Sequence, residues 1–176
     1  MNQQLENQFI ELESKRKAML AQLQAITEEK LHVEPNGKWS IIQNINHLIL
    51  SESGILLYLK KKIQGIDTLK EADLASWLAY QLLRVYSVLP FKRKAPKGID
   101  EPSNEEDLAT ISAKWDKLRE NWKEFMNQVP DNQLKIAIFK HPFLDARLNI
   151  YQTIGFMEAH FDRHTRQIKD ILKMQY

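Results

Sequence analysis

Apolar residues return every three or four positions through most of this chain, the period of an α-helix with one buried stripe. The first stripe, Leu5, Phe9, Leu12, Met19, Leu23, Ile26 and Leu31, predicts a helix over 3–31. Glu11, Glu13, Lys15, Arg16 and Lys17 read as its solvated face. Pro35-Asn36-Gly37 marks a turn, and the residue before a proline is pushed out of the helical region. Ser40, with Gln43 three residues on, is a capping-box pattern and opens a second helix over 40–64. Its stripe is Ile41, Ile45, Leu48, Ile49, Leu56, Leu59 and Ile63. A shorter periodic stretch, 71–89, carries Leu74, Trp77, Leu78, Leu82, Val85 and Leu89. Ser103 with Glu106 predicts the start of a helix over 104–128, through Leu108, Ile111, Trp115, Leu118, Trp122, Phe125 and Val129, closed by Pro130. Residues 131–148 have no such period, and 136–139 reads as extended. Asn149 with Gln152 caps a last helix over 150–174, with the stripe Ile150, Ile154, Met157, Phe161, Ile168, Ile171 and Leu172.

Four long amphipathic segments of similar length predict an all-α bundle in one domain, 1–176, with 71–89 as an additional helical segment after the second helix. Composition agrees: only 5 glycines and 6 prolines punctuate 176 residues, too few for many short strands and turns. A net charge of +2 gives no bulk electrostatic case for nucleic acid. The one basic run, Phe91–Lys97, sits in a loop fixed by Pro90, Pro96, Gly98 and Pro102, and reads as a solvated connection more readily than a phosphate site. The first residues lack the basic and apolar regions of a signal peptide, and no run approaches the ~20 apolar residues of a membrane span, so the expectation is a cytoplasmic protein. The absence of cysteine removes disulfides, thiolate nucleophiles and thiolate metal sites. Any metal here uses histidine and oxygen.

Two histidines change the picture. His160 and His164 lie one turn apart, inside the apolar stripe of the last helix. Two imidazoles turned inward at that spacing can clamp a metal or be hydrogen-bonded core residues. The zinc-protease helix places a glutamate after the first histidine; here that residue is Phe161, which argues against that chemistry. A third ligand would come from elsewhere. On the second helix His47 lies off the main stripe, on a side shared with Ser40, Asn44, Ser51, Gly54 and Tyr58. That side is small and uncharged, and reads as the lining of a polar cleft or as a face against a neighbouring helix.

Gly37-Lys38-Trp39-Ser40-Ile41 followed by Asn46-His47-Leu48, together with His141-Pro142 and the closing His160-Phe-Asp-Arg-His164-Thr-Arg-Gln167-Ile168, resembles the DinB/YfiT-like family over the whole chain. The resemblance implies a four-helix bundle in up-up-down-down order. It implies a divalent metal, often nickel or zinc, with iron or manganese as further options, held by His47, His160 and His164. Three imidazoles with an open position are the ligand set of catalytic metal sites. Asn44, Tyr58 and Gln167 are the polar candidates for supporting them, with Ser51 beside them in the cleft. His32, near a helix end, and His141 are not assigned as ligands.

Family members include thiol-dependent transferases and isomerases, and metal-dependent hydrolases. The resemblance therefore implies an enzyme that activates a low-molecular-weight thiol cosubstrate on the metal for transfer to an electrophilic small molecule. The alternatives are a hydrolase that uses water at the same position, and a stress-associated metal-binding protein without catalysis. A homodimer is also implied, with exposed aromatics such as Trp77 as its contact.

Overall fold

The computed structural model describes residues 1–89 and 95–175. The basic run falls largely on 90–94 and so lies outside the described residues. The described residues are mostly helical, in α1 (Gln3–Leu23), α2 (Glu28–His32), α3 (Ile41–Lys62), α4 (Leu74–Val88), α5 (Leu108–Gln128) and α6 (Ile150–Gln175). α1, α3, α5 and α6 form a four-helix bundle, and α4 lies against α6. None of these helices is long and apolar enough to cross a membrane.

The helices run up-down-down-up, not in the expected up-up-down-down order. Asn2 meets Tyr151 and Lys15 meets Glu158 and Asp162, so α1 and α6 are parallel. Asn44 meets His164 and His47 meets His160, so α3 opposes α6. Asn46 meets Ser103 and Glu52 meets Trp115 and Arg119, so α3 and α5 are parallel. The link from α1 to α3, which contains α2, and the link from α5 to α6 each join antiparallel helices. The long link from α3 to α5, which contains α4, returns the chain to the same end.

Local chemistry sets the boundaries. The Ser40 capping box forms as expected, with Gln43 N–H donating to the Ser40 hydroxyl at 3.0 Å and Ser40 N–H donating to the Gln43 side chain at 2.8 Å. The pair Asn149 and Gln152 does the same for α6. The expected helix over 3–31 is broken: α1 ends at Leu23 and α2 begins at Glu28, a bend that carries Leu31 into the core while preserving the apolar spacing. The box at Ser103 does not form. Asn46 holds the Ser103 carbonyl, and Asn104 bonds both Ser40 and the His32 backbone, so this segment is pinned across the bundle. Asp107 caps α5 instead, accepting from Thr110 N–H at 2.7 Å. The extended stretch sits slightly later than 136–139: β1 (Phe139–Lys140) pairs antiparallel with β2 (Arg147–Leu148).

The core is Leu, Ile and Phe with Trp115 and Trp122 fully buried. Through it runs a charged network. Glu52 accepts from Trp115 Nε1–H at 2.8 Å and Arg119 at 2.7 Å, and Arg119 also approaches Glu13 at 3.5 Å. Arg16 is buried and bonds Glu13 and Asp116, so it does not belong to a solvated face. Both arginines lie over the Trp115 ring. Burial holds the Glu52 carboxyl above its ordinary range, opposed by Arg119.

α4 approaches α6 closely because its facing residues are small. It buries Ser76, Ala79, Leu83 and Ser87, and the Tyr80 ring sits over Gly155, where a Cβ would collide with the tyrosine hydroxyl.

Candidate metal centre

The antiparallel pairing of α3 and α6 brings His47 level with His160 and His164. The Nε2 atoms of His47 and His160 are 3.3 Å apart, and those of His164 and His160 3.2 Å. All three ligand atoms fall within 4.8 Å of one another. Nitrogen–metal bonds of ~2.0–2.1 Å at tetrahedral angles place neighbouring nitrogens about 3.3 Å apart, the spacing that His160 has to each of the other two rings.

Two of the rings are locked in tautomer. His47 Nδ1–H donates to the Ile99 carbonyl at 2.8 Å, and His164 Nδ1–H donates to Asn44 Oδ1 at 2.8 Å. Asn44 is held in turn, donating its amide to the Ser40 carbonyl at 2.8 Å. The Nε2 atoms of His47 and His164 therefore carry lone pairs aimed toward His160. One linear hydrogen bond from His160 can serve one of them, not both. A cation serves all three, so the donor set fits a divalent metal.

Charge state agrees. His47 and His164 are buried, and desolvation pushes both below the usual histidine range. Desolvation first, then the neighbouring imidazoles, lowers His160 to about 3. The three rings are neutral at neutral pH, the form that binds metal. Aromatic rings enclose them: Trp39 packs 4.8 Å from His47, and Phe156 stacks on His160 at 5.7 Å.

The triad opens into a cleft of about 1280 Å³. Asn44, His47, Ser51, Gly54 and Tyr58 line it, so the small uncharged side of α3 is the cleft lining. The three sequence candidates for support divide. Asn44 bonds a histidine. Tyr58 lines the cleft, but its hydroxyl accepts from Arg147 at 2.8 Å. Gln167 lines the cleft and makes no hydrogen bond to a histidine among the described residues. His141 borders the cleft, where its Nδ1 accepts from Phe143 N–H at 3.2 Å. His32 lies away from it, donating from Nδ1 to the Asn104 carbonyl at 2.6 Å. The Ile99 carbonyl was not foreseen; no side-chain pattern announces a backbone acceptor.

The sequence pattern of the DinB superfamily matches residues 11–168. The chain belongs to the DinB superfamily. Its fold resembles that of YfiT from Bacillus subtilis, described as a probable metal-dependent hydrolase with an unusual four-helix bundle topology. The two share 16% identity, with a TM-score of 0.57 over 99% of this chain and 90% of that one. At that identity the likeness speaks for the fold alone. No curated protein matches the chain. Within this DinB fold the histidines come from only two helices, α3 and α6, and the third element of the site is the loop that carries Ile99.

Proposed function

We propose that this DinB protein is a metal-dependent enzyme in which His47, His160 and His164 hold a divalent ion, zinc or nickel first. Its reaction transfers the sulfur of a small thiol to an electrophilic small molecule. The observation that carries the reading is the convergence of three neutral imidazole nitrogens at the wall of a cleft, with the rings of His47 and His164 braced from behind. Bound there, a divalent ion supplies Lewis acidity, and three uncharged ligands leave its full double charge to ionise a thiol or a water near neutral pH.

The protein's own residues do the rest. Asn44 and Ile99 keep the Nε2 atoms free for the ion. Trp39 and Phe156 exclude water from the rings. Ser51 and Tyr58 supply polar contacts along the lining. The thiol arrives as a cosubstrate, because the chain has no cysteine. Sulfur forms the new bond to carbon, and the leaving group departs with its electron pair. The cleft exceeds the ~300–1,000 Å³ of ordinary ligand pockets, which supports a reaction with two small molecules present. Hydrolysis is the second reading, favoured by the description of YfiT.

The test starts with untagged protein and its metal content. One divalent ion per chain is expected, lost in His160→Ala and kept in His32→Ala. A panel of small thiols with a chromogenic electrophile is then run beside ester and amide substrates. Thiol consumption that needs metal and vanishes in His164→Ala supports transfer. Turnover without thiol replaces it with hydrolysis. Binding without turnover of either kind leaves a metal-binding protein.

A further inference from the structure

A loop carbonyl, not a side chain, fixes the tautomer of His47. The ring donates from Nδ1–H to Ile99, which lies on the irregular segment ahead of α5. Such an acceptor is only as well placed as the loop that carries it. Lys97, Gly98, Glu101 and Ser103 are exposed, so packing alone does not hold the segment. Its fixings are polar. Gly98 takes φ +94°, which residues with a Cβ rarely adopt, and its N–H donates to Asp100 Oδ1 at 3.0 Å. Ile99 N–H donates back to the Pro96 carbonyl at 3.2 Å. Asn46, the residue before His47, donates from Nδ2 to the Ser103 carbonyl at 2.8 Å. Asn104 Oδ1 accepts from the Ser40 hydroxyl at 2.6 Å, and Asn104 Nδ2 donates to the His32 carbonyl at 2.9 Å.

We infer that Asn46 and Asn104 are positioning residues of the metal centre. They pin the strap 98–104 to α3, hold the Ile99 carbonyl on His47 Nδ1, and so keep the lone pair of His47 on Nε2. The inference rests on the metal reading above. Neighbouring residues of a helix point about 100° apart, so Asn46 and His47 grip the strap at two points, Ser103 and Ile99. Asn104 stands behind the other brace as well. It holds Ser40, whose carbonyl orients Asn44, which orients His164. Among the described residues neither asparagine bonds a triad histidine, and neither lines the cleft. Anchoring the start of α5 does not account for them. Asp107 caps that helix, and Glu28 accepts from Leu108 N–H at 3.2 Å, both beyond Asn104 in the chain. The partner of a metal-bound histidine sets affinity through tautomer and ring orientation, and a group that holds the partner acts in the same way at one remove.

Two measurements on the full chain test the inference, with far-UV circular dichroism as a check on folding. Heteronuclear NMR of the imidazole rings in metal-free protein reads which nitrogen of His47 carries the proton. Titration with zinc and with nickel against a competing chelator reads affinity. In the wild type His47 is protonated on Nδ1. Asn46→Ala and Asn104→Ala each give a folded protein in which His47 exchanges between tautomers and affinity falls about 3- to 10-fold, less than the ~10–100-fold of a direct partner. Gly98→Ala, on an exposed turn away from the packed core, lowers affinity too and serves where an asparagine variant fails to fold. Asp107→Ala is the control: it removes the α5 cap, lowers the melting temperature, and leaves tautomer and affinity as in the wild type. If the asparagine variants behave like Asp107→Ala, less stable but with tautomer and affinity unchanged, the inference is overturned and the pins are purely structural. A wild type that takes up neither zinc nor nickel defeats the metal reading rather than the strap, whose hold on His47 the ring spectra still decide.

Discussion

Asn44→Ala removes one hydrogen bond from the site and leaves the three histidines in place. In the native protein Asn44 Oδ1 accepts from His164 Nδ1–H at 2.8 Å, which keeps the lone pair on Nε2. With the acceptor gone, the ring is free to carry its proton on Nε2 and donate to His160, only 3.2 Å away. Metal binding must then reverse that tautomer and leave a buried N–H without a partner, at a cost of about 1–3 kcal/mol. Partners of this kind are worth 10–100-fold in metal affinity, or roughly 1.4–2.8 kcal/mol, and the two estimates coincide. Asn44→Asp keeps an acceptor in the same position and retains binding. The assay is calorimetric titration of metal-free protein with zinc and with nickel, against a competing chelator, alongside circular dichroism. Affinity of Asn44→Ala within twofold of wild type, in a folded protein, would refute the role given to Asn44.

Three further outcomes follow from the geometry. All three site histidines have folded pKa values below the unfolded value of 6.5, so below that pH the unfolded chain binds more protons. The stability of metal-free protein is therefore full above pH 6.5 and declines as pH falls from there toward 3; urea midpoints measured down the acid limb check this, and a slope unchanged in His160→Phe contradicts it. Glu52→Ala strands Arg119 in the core and costs about 3–5 kcal/mol, whereas Glu52→Leu combined with Arg119→Met costs less than the single change, as denaturation midpoints will show. Gly155→Ala drives a methyl into the Tyr80 hydroxyl and destabilises by about 1–3 kcal/mol, a loss that Tyr80→Phe partly relieves; equal melting temperatures for Gly155→Ala with and without Tyr80→Phe count against that contact.

What could be read from the sequence was what depends on short range. The boxes at Ser40 and Asn149 involve residues three apart, and the pairing of His160 with His164 is one helical turn. His47 entered through a family pattern, since nothing local links it to α6. The helix order that the resemblance implied differs from the one found, because order is set by the path of the long connection, which no local pattern describes. Ser103 failed as a cap because Asn46 and Asn104 claim that segment from afar. For α4 the period identified an apolar face correctly but cannot say which face is covered. The charged core had a signal that went unused: Arg16, Glu52 and Arg119 all fall at positions where the apolar spacing calls for a hydrophobic residue. Charges of both signs on three inward stripes announce one another.

α3 has two working sides. Glu52 points toward α1 and α5 into the network that joins them, while His47, Ser51 and Tyr58 face the cleft. The groups that hold the bundle together and those that line the cleft are thus separate sets on one helix. Exchanging Ser51, Gly54 or Tyr58 alters the chemistry presented to a ligand without opening the core around Trp115. A scaffold wired this way can change what its cleft presents in small steps, each tolerated by the fold, while the three imidazoles stay where they are.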